Sequence, residues 1–332
     1  MTVAQNDRRA AAPMVAAEAA PSITAFRDKG SLSFQDVGVE QARVNYSVSC
    51  AANGLTSQAI AKVSDVQFEP HIPGRLYDAR PGAPKALAPA IFFIHGGGWV
   101  IGDLDTHDSL CRHLAVSTEC IVVAVDYRLA PEAPFPAAID DCRSALTWVL
   151  THGEKWGIDI ARVVVMGDSG GGQMAAILAN ESGDDRFDNR LIGQVLLYPV
   201  TDLTMQTPSY ERIVTGFPLT ANTMSWFADH YVPEGVDRSQ AQLSPLLNPV
   251  PAYGAAAFIC TVDNDPLADE GARYAAKLAA AGTAVEYLHL PGHSHGLFTS
   301  AGVLATAREV LNRVSAFITA RSTAAIDDVA RD

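Results

Sequence analysis

The sequence predicts an α/β fold, a mostly parallel central sheet flanked by helices. Short apolar, β-branched runs recur along the chain, end in Gly, Asp or His, and lead into helical patterns. That alternation builds a parallel sheet covered on both faces. A length of 332 residues accommodates one large core with a smaller insertion. A composition 48% hydrophobic and 18% charged belongs to a packed globular chain rather than a disordered or fibrous one.

Four runs matter most. Ala90 to Ile94 enters His95-Gly96-Gly97-Gly98-Trp99, and Ile121 to Val125 enters Asp126-Tyr127-Arg128. Val163 to Met166 enters Gly167-Asp168-Ser169, and Ala256 to Val262 enters Asp263-Asn264-Asp265-Pro266. Ligands bind at the carboxyl ends of strands in open α/β sheets, so these loops are expected to converge on one crevice. Two regions interrupt the alternation: residues 1–50, with an amphipathic helix expected around Gln35 to Ser49, and residues 202–245, which carry Tyr210, Phe217, Trp226, Phe227 and Tyr231. Insertions of this kind serve as lids. The chain is therefore divided into an N-terminal cap segment (1–50), a core (51–201 and 246–332) and a cap insertion (202–245), with most of the aromatics packing the insertion onto the core and one or two reaching the ligand. A frayed tail is expected from Ser322.

Charge and cysteine usage exclude several classes. With 24 basic and 37 acidic residues the net charge is -13, and no Lys/Arg cluster could track a phosphate backbone, so nucleic acid is not an expected partner. Cys50, Cys111, Cys120, Cys142 and Cys260 lack CxxC spacing and read as buried free thiols. Arg8-Arg9 precedes an Ala-rich stretch, but Pro13 and Glu18 interrupt any export signal, which predicts a cytoplasmic protein. No run of about 18 apolar residues predicts a membrane span.

Gly167-Asp168-Ser169-Gly170-Gly171 has the form G-x-S-x-G, after an apolar strand and before the helical pattern Gln173 to Leu178. In that context the serine sits on a strained turn whose neighbours must be small, with a helix N-terminus beneath it. A serine hydroxyl needs a base, and the base needs an acceptor to fix its tautomer. Asp265 and His295 follow in the required order, with Asp263 and Asp269 as rivals to the first and His293 as rival to the second. His293-Ser294-His295 lacks a third ligand at metal-binding spacing, and no metal is expected. The glycine run after His95 lets backbone N–H groups approach a substrate oxygen, forming an oxyanion hole with the N–H of Gly170. His95 itself reads as a loop anchor, and Asp126, Arg128, Glu132 and Asp168 as structural.

These segments, together with Asp126-Tyr127-Arg128-Leu129-Ala130-Pro131-Glu132, Phe135-Pro136-Ala137-Ala138, Ser244-Pro245-Leu246, Asp265-Pro266-Leu267-Ala268-Asp269-Glu270-Gly271 and His295-Gly296, resemble the hormone-sensitive-lipase-like esterases, the bacterial family IV of the α/β-hydrolase superfamily. The resemblance spans roughly residues 75 to 300. It implies an α/β-hydrolase fold with a helical cap from the N-terminus and an insertion. It implies Ser169 as nucleophile, Asp265 and His295 as its partners, and oxyanion donors at Gly97, Gly98 and Gly170. It further implies a carboxylic ester hydrolase acting on short to medium acyl esters, with no cofactor, a small-molecule ester substrate and a homodimer in some relatives. Two alternatives keep the chemistry or discard it: an amidase or arylformamidase with the same triad, or a non-catalytic binding module such as the plant gibberellin receptor, which resembles this family but lacks a working histidine. Gly170 stands where such families usually carry Ala, and Leu297 where Phe is commoner.

Overall fold

The computed structural model describes residues 14–68, 71–82, 86–182 and 191–329. In chain order its elements are α1 (Ala20–Asp28), α2 (Val39–Asn53), β1 (Lys62–Phe68), β2 (Ile72–Asp78), β3 (Ala88–Ile94), α3 (Asp108–Thr118), β4 (Ile121–Val125) and α4 (Ala137–His152). There follow β5 (Ile158–Asp168), α5 (Gly170–Ser182), β6 (Leu191–Leu197), α6 (Pro208–Arg212), α7 (Ala221–Tyr231), β7 (Ala257–Asn264), α8 (Ala268–Ala280), β8 (Val285–Ser294) and α9 (Ala305–Val329). The helix expected over Gln35 to Ser49 is a short 3-10 turn at Phe34–Asp36 followed by α2, because Gly38, at φ +76°, separates the two.

Among the described residues eight strands form one sheet in the order β1-β2-β4-β3-β5-β6-β7-β8. β2 pairs antiparallel with both β1 and β4, and all other neighbours are parallel. Period-2 alternation explains why the central strands are apolar throughout. Phe92, Ile94, Val163 and Val165 face a core shared with α4, α5 and α8, while Ile91, Phe93, Val164 and Met166 face a second core shared with α3 and α9. All five cysteines are buried free thiols.

The topology fixes where a ligand can sit. After β3 the chain moves to β4 on one side, and after β5 it moves to β6 on the other, so the loops following two adjacent strands part and leave a crevice. Those two loops are the glycine run and the Ser169 turn.

The C-terminal expectation fails. From Ser322 the chain continues as helix α9 to Val329, and Ser322 is itself buried. Val310, Leu311, Val314 and Ile318 bury one side of α9 against the second core, and that anchored face carries the helix onward where composition alone suggested a frayed tail. Among the described residues no helix is long and apolar enough to cross a membrane. Residues 1–13, which include Arg8-Arg9 and the start of the expected N-terminal segment, and 330–332 lie outside the described residues.

Candidate active site

The Ser169 turn is built from backbone constraints. Ser169 has φ +56° at the end of β5, a conformation costly for a residue with a side chain and held here by bonds on both sides. Its N–H donates to Leu197 O at 2.9 Å, and its carbonyl accepts from Gln173 N at 3.0 Å and Val200 N at 3.2 Å. A Cβ on Gly167 would collide with the Gly171 carbonyl, and one on Gly171 with the carbonyls of Ile94 and His95. The two outer glycines of the motif are thus required by close approach of β5, α5 and β3.

The register of the last two strands delivers the partners. β7 and β8 pair through Asn264↔Ser294, so Asp265 and His295 are the next residue on each chain and emerge side by side. Asp265 is fully buried. A carboxylate only accepts, so the His295 proton resides on Nδ1 and donates to Asp265 Oδ2 at 2.6 Å. That leaves Nε2 to accept from Ser169 Oγ at 2.9 Å. Asp265 Oδ1 accepts from Leu267 N at 2.9 Å. The rivals are elsewhere: Asp263 pairs with Arg212, Asp269 Oδ2 accepts from Ser209 N, and His293 meets Glu18. Among the described residues no set of three His, Cys, Asp or Glu side chains gathers to hold a metal.

The glycine run lies opposite. Gly97 has φ +124° and Gly98 φ +56°, and a Cβ on either would collide, with the Ile101 carbonyl and the Phe227 ring respectively. Among the described residues neither N–H has an acceptor. Gly170 opens α5, where the first N–H groups have no acceptor within the helix. Gly97 and Gly98 line the same cavity as Ser169, and Gly170 follows Ser169 directly along the chain.

Asp168 pins this loop. Its Oδ1 accepts from Gly96 N at 2.8 Å and lies 3.2 Å from His107 Nε2. Burial works against its ionisation, but the neighbouring His107 and the Gly96 N–H together hold the carboxyl below the usual carboxylate range. His95 donates from Nδ1 to Gly96 O at 2.8 Å and stacks on Tyr127 at 4.3 Å, as a loop anchor would. Burial first, and then the neighbouring His107, push its imidazole down to about 4. Trp99 closes the loop: its indole N–H donates to Gln173 Oε1 at 2.9 Å, and its ring stacks on Tyr231 at 4.5 Å. Arg128 pairs with Asp141, while Glu132 is gripped by Arg43 of α2, which also donates to Val100 O and Ala130 O.

The site opens into a cavity of about 330 Å³. Its floor includes Gly97, Gly98, Ser169 and His295, and its roof comes from Ile23 and Phe34 of the N-terminal segment with Met224 and Phe227 of α7. Roof elements hold one another: Ser33 Oγ donates to Pro218 O at 2.8 Å, and Phe34 meets Phe227 at 5.6 Å. Of the five aromatics singled out between residues 202 and 245, Phe227 lines the cavity, Tyr210, Phe217 and Tyr231 are buried in packing, and Trp226 is half-buried. Sequence reasoning missed Tyr198, whose ring lies 4.2 Å from that of His295 and whose hydroxyl accepts from Phe298 N. A signal existed, since Tyr198 ends a strand as the other site residues do. It also missed His107 and Glu18, which carry no motif.

Comparison with known proteins agrees with this architecture. A family described as the alpha/beta hydrolase fold matches residues 91–299. Ethyl acetate hydrolase of Pseudomonas putida is 40% identical over 240 residues, covering 72% of this chain and 76% of its own. Carboxylesterase NlhH of Mycobacterium tuberculosis is 39% identical over 250 residues, covering 73% and 76%. The crystal structure of a thermostable esterase from Pseudomonas putida matches with a TM-score of 0.85 at 30% identity, covering 94% of this chain and 99% of that one. On the extent of these matches, the chain belongs to the α/β-hydrolase family, among its hormone-sensitive-lipase-like serine ester hydrolases.

Proposed function

We propose that the chain hydrolyses small carboxylic esters with short to medium acyl groups through an acyl-enzyme on Ser169. The observation that carries this reading is the relay from Ser169 Oγ to His295 Nε2 at 2.9 Å and from His295 Nδ1 to Asp265 at 2.6 Å. Ser169 attacks the ester carbonyl while His295 takes its proton, and Asp265 stabilises the imidazolium. The oxyanion is received by the N–H groups of Gly97, Gly98 and Gly170. His295 then protonates the departing alcohol, and a water molecule, deprotonated by the same imidazole, releases the acid. None of these steps calls on a cofactor.

The segments 1–50 and 202–245 act in this reading as a cap over the core of 51–201 and 246–332. Phe227 and Met224 bound the cavity, which favours acyl chains of limited length. The test is a rate profile across p-nitrophenyl esters of rising acyl length, with Ser169→Ala alongside and a fluorophosphonate probe as label. Ser169→Ala should lower kcat by about 10⁴- to 10⁶-fold and abolish labelling. A maximum at long acyl chains would defeat the length assignment; labelling that persists in Ser169→Ala would defeat the nucleophile.

A further inference from the structure

His293 stands two residues before His295, and the relay leaves it unused. Its ring is nonetheless held as firmly as that of a functional residue. Nε2 lies 3.0 Å from Glu18 Oε1, and Nδ1 lies 3.1 Å from Pro291 O. An acceptor thus faces each ring nitrogen.

Glu18 is equally committed. Besides His293 it accepts from Ala305 N at 2.7 Å and Thr306 N at 3.1 Å, the first backbone donors of α9. Burial opposes ionisation, but the hydrogen bonds of Thr306, His293 and Ala305 hold its carboxyl down at about 2. One carboxylate thus joins the N-terminal segment, the end of β8 and the start of α9.

The surrounding backbone makes the same junction. Ala16 N donates to Gly292 O at 2.9 Å, and Gly292, at φ +73°, has no room for a side chain because a Cβ would lie 2.8 Å from Ala16 N. Asn264, beside Asp265, donates from Nδ2 to Met14 O at 2.7 Å. Residues 14–18 therefore brace both strand ends from which Asp265 and His295 project. Immediately afterwards the same segment becomes α1, whose Ser22 and Ile23 line the cavity.

We propose that Glu18 and His293 form a positioning pair for the reaction assigned to Ser169: they lock the roof segment to the loop bearing His295 and hold that imidazole at reacting distance. The proposal rests on the reading given under Proposed function. Neither residue touches the reacting atoms, so the pair acts through His295. Small displacements of a base are expensive, since misplacement by about 1 Å can cost about 100-fold in rate. Charged and titratable neighbours on the adjoining elements are Asp263 of β7, whose Oδ2 is 3.5 Å from Gly292 N, and His289 of β8, 3.9 Å from Asp263.

The experiment compares native enzyme with Glu18→Gln, His293→Gln and the double variant in kcat and KM for p-nitrophenyl butyrate, with Tm and fluorophosphonate labelling measured on the same preparations. Each single variant should lose about tenfold in kcat while KM stays within about twofold, and the double variant should be no slower than the slower single one. Glu18→Asp, which keeps the charge on a shorter stem, serves if an amide variant does not fold, and its kcat should fall below native. Native kcat in folded, labelled variants overturns the pair. So does a change confined to KM, or losses that multiply in the double variant. Native protein that fails to label at Ser169 sinks the underlying assignment as well, and is thereby distinguished from failure of the pair alone.

Discussion

On the floor of the cavity, a Cβ added to Gly97, Gly167 or Gly171 would strike a backbone carbonyl, whereas at Gly30 and Gly38, beside the roof helices, it would meet nothing within 4 Å. The floor is made where two strands, a helix and the glycine loop approach at backbone distance, and a single methyl group has no place to go. The roof is held largely by side chains meeting side chains: Phe34 against Phe227, and Ser33 against Thr223, with Leu32 64% exposed at its rim. In the reading proposed above, chemistry that demands one arrangement lies on the rigid side, and shape selection on the side that can be repacked.

The sharpest way to break this contrast is at the adjacent glycines. Gly97→Ala should cost about 10²- to 10³-fold in kcat, on the scale of losing one oxyanion donor, and no second substitution should relieve it because the obstacle is the Ile101 carbonyl. Gly98→Ala meets the Phe227 ring instead, so adding Phe227→Ala should recover part of the loss. Equal, unrelieved losses at both positions in the steady-state rates would show that the roof is no softer than the floor.

A second prediction concerns stability of the floor. His95 is neutral in the folded protein, with its imidazole pushed down to about 4, while the unfolded chain takes up a proton near the ordinary value of 6.5. As pH falls from 6.5 to 4 the unfolded state binds the extra proton, so stability is lost over that window, by about 3 kcal/mol. Denaturant titrations should show this slope flattened in His95→Asn. An unchanged slope would remove His95 as the cause.

The smallest effect is expected at Gly170. A Cβ there would lie 3.2 Å from the Trp99 indole, tight but without a backbone obstacle, and φ is not in the left-handed region. Gly170→Ala should keep kcat within about threefold of native, the modest helix gain from Ala offsetting part of the overpacking. A loss above a hundredfold would place Gly170 with the rigid glycines of the floor.

What was readable in the sequence follows the same division. The strands, the Ser169 turn and the glycine run could be read because each is specified by local requirements: apolar periodicity, a positive φ, absence of a Cβ. Asp265 and His295 stood out by order along the chain, while what sets Asp263 and His293 apart from them is the β7–β8 register and their own partners. The packing of the roof was not legible, since Ser33 and Thr223, 190 residues apart, meet only in three dimensions. Tail and anchors escaped for related reasons. The buried face of α9 is defined by the sheet it covers, and His107 earns its position through Asp168 rather than through any pattern of neighbours.

The bonds of Glu18 also set an order of events in time. Its partners His293, Ala305 and Thr306 are translated 275 to 288 residues later. At roughly 5–20 residues per second, that carboxylate is made on the order of 15 to 55 s before the first of them exists. The earliest described segment of the chain therefore takes its final place among the last, and a nascent enzyme can hold a finished Ser169 turn well before it holds a finished site.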